Sequence, residues 1–182
     1  MRIIAGEFRG RTILPPASDA TRPITDRVKQ SLFDILTPYL SDSAVYDCFA
    51  GTGSMGLESI SRGAKSATFF EIDRSALGLL KKNIATLKVE SQSKIVSTDL
   101  FKWLATQEPN PPANLIFLDP PYRFLREKAT ELQALAEHLK RHLAPGGLVL
   151  FRHDAADELN LPALNVFDRR EYGGMTIELL TA

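Results

Sequence analysis

Asp119-Pro120-Pro121-Tyr122 is the stretch whose residue types carry the most chemistry. It closes the apolar run Leu115-Ile116-Phe117-Leu118, which reads as a buried strand halted by prolines that lack the amide to extend a ladder. The halt leaves a carboxylate, the Pro120 carbonyl and an aromatic ring on one rigid corner. Such a corner can hold a planar group that carries an exocyclic amine. Asp119 and the Pro120 carbonyl each accept from one N–H, Tyr122 stacks on the ring face, and Pro121 stiffens the turn. Accepting both protons draws the nitrogen out of planarity and recovers a lone pair able to attack an electrophile. The same residues also fit a plain proline turn with a helix-capping aspartate, so the rest of the chain has to decide.

A second group offers a place for the electrophile. Ala50-Gly51-Thr52-Gly53-Ser54-Met55-Gly56 contains the spacing Gly51-x-Gly53-x-x-Gly56, with Glu71 about 20 residues after its first glycine. Backbone in such a loop approaches a ligand closely, and the acid awaits ribose hydroxyls. Asp47 lies just before the loop, where a carboxylate attracts an ammonium but repels a pyrophosphate. Asp99, after the third strand, can accept from an adenine amine or can cap the next helix. Asp47 and Asp99 together favour S-adenosylmethionine over a nicotinamide cofactor. His138 and His142 share a helix face, as zinc ligands can, but no third ligand is near in sequence, so no metal is expected. Cys48, at a buried strand end with no adjacent base, reads as small packing.

The elements that position these groups follow from the hydrophobic period. Residues 2–14 read as a β-hairpin with glycines at 6 and 10, followed by a loop to about residue 20. Thr25 is a candidate cap for a helix with Val28, Leu32, Ile35 and Leu36 on one side, ended by Pro38. Strands are expected at 45–49, 66–72, 94–98, 115–118 and 148–151, alternating with helices after Gly53, after Asp73, around Trp103, and through Leu132 and Leu143. Residues 166–170 and 176–180 pair as a hairpin across Gly173-Gly174. The alternation predicts an α/β fold, a doubly wound and mostly parallel sheet with an antiparallel carboxyl-terminal hairpin and a small amino-terminal β-hairpin extension. Asp47, Glu71, Asp99 and Asp119 then fall together at the carboxyl ends of strands, where such sheets bind ligands.

With 182 residues and 44% hydrophobic content, the chain suits one domain over 1–182 that buries roughly 70% of its unfolded surface. Its formal net charge is zero, so any nucleic-acid contact must be a local patch. Residues 1–30 supply one, with six Lys or Arg against three Asp or Glu. Arg9, Arg11, Arg22 and Arg27 are the candidate phosphate contacts, an ordinary solvated face being the competing reading. One cysteine and no long apolar run fit a soluble, cytoplasmic protein with no membrane partner.

The glycine loop and Asp119 to Tyr122 together resemble the amino-directed class of Rossmann-type methyltransferases. Arg2-Ile3-Ile4-Ala5-Gly6-Glu7-Phe8-Arg9-Gly10-Arg11, Arg22-Pro23-Ile24-Thr25-Asp26-Arg27-Val28 and Asp47-Cys48-Phe49-Ala50-Gly51-Thr52-Gly53 narrow the likeness. With them the chain resembles, over nearly its whole length, the bacterial RsmD family. Tyr122 stands where some relatives have phenylalanine. The resemblance implies a seven-stranded sheet and methyl transfer from S-adenosylmethionine to guanine N2 in 16S ribosomal RNA, at a site of the guanine 966 type. It implies free 16S ribosomal RNA or the assembled small subunit as partner, and Asp47, Gly51, Gly53, Glu71 and Asp99 as donor-site residues. DNA adenine methylation is the neighbouring alternative, weakened by the absence of an evident DNA-recognition domain. From other classes, a nicotinamide oxidoreductase would leave Asp119 to Tyr122 without a task, and an inactive RNA-binding adaptor would use only the basic segment.

Overall fold

The computed structural model describes residues 1–16 and 24–182. Arg22 and the residues about it therefore lie outside the described residues. Helix α1 (Asp26–Leu36) begins where Thr25 Oγ1 accepts from the Val28 amide at 3.3 Å, as the sequence predicts. Strand β1 (Ala44–Cys48) follows, then α2 (Ser54–Ser61), β2 (Ser66–Phe70) and α3 (Arg74–Leu87). Next come β3 (Ser93–Val96), α4 (Leu100–Thr106) and β4 (Ala113–Leu118). The chain ends with α5 (Arg123–Glu127), α6 (Ala129–His142), β5 (Leu143–Asp154), β6 (Asn165–Tyr172) and β7 (Met175–Thr181). No helix among the described residues is long and apolar enough to cross a membrane.

The strands form one sheet in the order β3-β2-β1-β4-β5-β7-β6. The first five run parallel, and β7 pairs antiparallel with both β5 and β6. Alternation along β4 divides the core in two. Leu115 and Phe117 pack with Leu32, Leu57 and Leu80 of α1, α2 and α3. Ile116 and Leu118 pack with Leu104, Leu132 and Leu139 of α4 and α6. Burying both faces is what turns this strand into a continuous apolar run. Between β1 and β4 the strand order reverses, the point of such a sheet at which ligands bind outside the carboxyl ends of the strands.

Four elements differ from the sequence expectation. The amino-terminal hairpin reduces to a single antiparallel bridge, Arg2 to Thr12. Backbone bonds from Ile3 to Arg11, Gly10 to Ile3 and Ile13 to Met1 join its two arms, and α2 holds it as well: Glu58 accepts from the amides of Ile4 and Ala5 at 2.8 and 3.0 Å, and Ser61 Oγ accepts from Phe8 at 3.0 Å. The buried face of α1 carries Lys29, Leu32, Phe33 and Leu36, while Val28 and Ile35 are only half-buried. A short α5 follows the proline corner, because the Pro121 carbonyl accepts from Phe124 and begins a helical turn. Strand β5 starts at Leu143, with Ala113 paired to Leu143 and Leu115 to Leu148, so the Pro145-Gly146-Gly147 stretch bulges out.

Candidate active site

A cavity of about 590 Å³ opens at the strand ends beside the β1–β4 reversal. Asp47, Ala50, Gly51, Glu71, Asp99, Asp119 and Pro121 all line it. Asp47, at the end of β1, is 3% exposed, and its Oδ2 accepts from the Gly56 amide at 2.9 Å. Burial, with the charges of Asp119 and Glu71 adding to it, pushes the Asp47 carboxyl up to about 8, against the Gly56 amide and the more distant Lys29. That site favours a proton or a cation.

The glycines divide the work. Gly51, at φ 57°, turns a side with no atom within 4 Å of a would-be Cβ, so its backbone stays open to a ligand. Gly53 and Gly56 do not line the cavity; they seat α2. A Cβ at Gly56 would lie 2.3 Å from the Phe69 ring and 3.1 Å from Asp47 Oδ2. Glu71 fastens the loop to the end of β2: Oε2 accepts from Gly51, and Oε1 accepts from Ile72 and Asp73, each at 2.8 Å. Ala50 donates to the Phe70 carbonyl at 2.9 Å. Asp99 takes the capping role, its Oδ1 accepting from Phe101 and Lys102 at 2.9 and 3.3 Å, while still facing the cavity.

At the corner, Pro120 is buried and is not among the residues that line the cavity, and the hydrogen bonds of the first turn of α5 fall on the Pro121 and Tyr122 carbonyls, one and two residues beyond it. Asp119 meets a partner that the sequence reading missed. Arg152, on β5, forks onto it, with Nε to Oδ1 at 2.8 Å and Nη2 to Oδ2 at 2.6 Å. The pairing of Leu118 with Phe151 brings the two together, since the next residue on each strand must then adjoin. Tyr122, the expected stacking ring, is half-buried and is not among the residues that line the cavity. The rings that do include Phe49, Phe101 and Phe124. Phe49 stands edge-on to the other two at centroid distances of 6.2 and 5.9 Å, and Lys128 Nζ lies 4.5 Å from the Phe124 centroid. Phe49 holds a left-handed φ of 61°, an unusual conformation for a large side chain that turns the chain from β1 into the glycine loop.

A buried ionic cluster lies beneath the loop. Lys29 Nζ contacts Glu58 Oε2 at 3.0 Å and Ser54 Oγ at 3.1 Å, and Arg62 Nε donates to Glu58 Oε1 at 2.8 Å. Burial lowers Lys29 from its usual value, against the pull of Glu58. Burial alone would raise Glu58, but Lys29, the Ile4 amide and Arg62 outweigh it and hold the carboxyl low. A lysine in step with Leu32 and Leu36 was the available signal, since a cation on an apolar helix face requires a partner.

Arg9, Arg11 and Arg27 are exposed. Arg9 and Arg27 line a second concavity together with Arg2, which pairs with Asp26 at 2.7 Å. Arg11 lies 5.3 Å above the Phe8 ring. Met1 and Ile24 line the first concavity, and Arg2 and Asp26 line the second. His142 is buried with a ring nitrogen 3.3 Å from the Leu104 carbonyl, and His138 Nδ1 meets Arg141 at 2.8 Å. No group of three metal-ligating side chains occurs among the described residues. Cys48 is buried, its thiol pushed well up by burial and by the neighbouring Asp47.

A family model described as conserved hypothetical protein 95 matches residues 1–181. Ribosomal RNA small subunit methyltransferase D of Haemophilus influenzae is 43% identical over 72% of this chain, and that of Escherichia coli is 44% identical over 68%. The chain belongs to the RsmD family. The aligned stretches span 69% and 61% of those two relatives' own lengths. The solved structure of yhhF from Escherichia coli superposes on the fold with a TM-score of 0.84 and 34% identity, covering 100% of this chain and 98% of that one. The seven-stranded sheet and antiparallel hairpin are thus the Rossmann-type methyltransferase architecture that the RsmD resemblance implies.

Proposed function

We propose that this chain transfers a methyl group from S-adenosylmethionine to the N2 amine of a guanine in 16S ribosomal RNA, at a site of the 966 type. One observation carries the reading: the strand-end carboxylates Asp47, Glu71 and Asp99 and the Asp119 corner open into the same cavity. The residues fit the donor. Asp47, buried and proton-retaining when alone, suits the ammonium of an amino acid; Glu71, beside the open backbone of Gly51, suits ribose hydroxyls; Asp99 suits an adenine amine. Names carried by the relatives point to the same substrate class.

Bound S-adenosylmethionine supplies a methyl group already activated on a sulfonium. The protein's part is placement and electrostatics. An Asp119 oxygen and the Pro120 carbonyl take the two amine protons, so the nitrogen lone pair faces the donor side of the cavity. The base has to leave its stack to reach this depth, and an aromatic wall offers it a new one. The rings proposed for that wall are Phe49, Phe101 and Phe124, which line the cavity. Arg9, Arg11, Arg22 and Arg27 are proposed to hold the flanking phosphates, and two of them, Arg9 and Arg27, line the second concavity.

The reading is tested by tritiated methyl transfer to ribosomal RNA from a strain lacking the gene, with nucleoside analysis of the product. Label in N2-methylguanosine is expected. Label confined to adenine N6, or no label in either free RNA or the small subunit, would contradict it.

A further inference from the structure

Arg152 is 7% exposed and Asp119 25% exposed by side chain, and the guanidinium engages both carboxylate oxygens at once. An ionised carboxylate offers about four lone-pair positions. The fork takes one on each oxygen and leaves the others for the cavity. The parallel register fixes this contact, because Leu118 and Phe151 pair and the chain next presents Asp119 beside Arg152. A buried ion pair is weak evidence of a stabilising role, since an apolar pair of similar volume often serves the fold as well. A fork aimed at the residue assigned to the amine calls for another account.

We infer that Arg152 is a positioning residue: it fixes the orientation of Asp119 as a hydrogen-bond acceptor for the target amine. The inference rests on the function proposed above. In the transfer, the amine lone pair forms the N–C bond, the S–C bonding pair returns to sulfur, and the surplus proton on nitrogen leaves to water. Asp119 keeps its orientation throughout, because a planar partner holds both of its oxygens.

The test is single-turnover methyl transfer at saturating donor, comparing the parent with Arg152→Met, Arg152→Lys, Asp119→Asn and the Asp119→Asn/Arg152→Met pair. Arg152→Met is expected to slow transfer about 10-fold to 100-fold while donor affinity stays within about two-fold. Arg152→Lys should recover part of the loss, and Arg152→Met should cost nothing further once Asp119 is Asn. If Arg152→Met does not fold, Arg152→Ala assayed with added guanidinium ion takes its place, with recovery of rate expected. Parent-like transfer by Arg152→Met, or a full additional loss in the double variant, would overturn the inference alone. An inactive parent would overturn the functional reading and the inference with it.

Discussion

Among single residues, Asp47 is where the chemistry of the cavity and the stability of the fold are linked. Its carboxyl is pushed from a usual 3.8 to about 8, by burial first and then by Asp119 and Glu71. The folded chain therefore keeps a proton that the unfolded chain releases. It follows that Asp47 makes the ligand-free protein lose stability as pH rises from about 4 to about 8, with no further loss above that. A cationic group beside Asp47 reverses the sign for binding, since the carboxylate must be charged to hold it. Donor affinity measured by calorimetry is thus expected to strengthen between pH 6 and 8 in the parent, and Asp47→Asn should abolish that rise. A parent affinity flat over this range would remove Asp47 from the donor site. Tyr122 teaches a different lesson at the same scale. Its place after two prolines was readable in the sequence, but whether its ring or that of Phe124 reaches the cavity depends on how α5 winds, and a four-residue motif holds no such information.

At the scale of elements, glycine loop and helix α2 form one packed unit. Gly56→Ala sets two effects against each other. Alanine improves an exposed helix interior by about 0.5–1 kcal/mol over glycine. Here its Cβ would fall 2.3 Å from the fully buried Phe69 ring, and overpacking of that kind costs about 1–3 kcal/mol. The clash wins, so urea denaturation should show a net loss of about 1–2 kcal/mol. An unchanged midpoint would mean that α2 can shift freely and that Gly56 is not what seats it against Asp47. The caps Thr25 and Asp99 were legible because each bonds within three residues of itself. The strand ends were legible for a similar reason, each apolar run being closed by its own turn residues. The docking of the amino-terminal hairpin on α2 was not, because the acceptors for Ile4 and Ala5 belong to Glu58, more than fifty residues away. Arg152 was missed on the same ground: its partner is set by strand register, which the local pattern of Leu148 to Phe151 does not specify.

For the whole molecule, a net charge of zero means that attraction to RNA has to come from where charges are placed. Three described arginines, at 9, 11 and 27, are exposed on the amino-terminal side, and two of them, Arg9 and Arg27, line one concavity. Replacing Arg9, Arg11 and Arg27 with alanine should flatten the dependence of log affinity on log salt by about 0.7–0.9 for each phosphate no longer neutralised. Donor affinity should hardly move, because none of the three lines the donor end of the cavity. A slope equal to the parent's would return them to an ordinary solvated surface. The central claim, that the Asp119 corner performs methyl transfer on an amine held in this cavity, is met most directly by Asp119→Asn in single turnover. The amide keeps the shape of the carboxylate but loses its charge and can turn a donor toward the amine. The account predicts a fall of about 100-fold or more in the transfer step, the scale of removing one preorganised hydrogen bond at a reacting atom, with donor affinity within about two-fold of the parent. Transfer by Asp119→Asn at near the parent rate would show that the corner is only a proline turn, and would contradict the account.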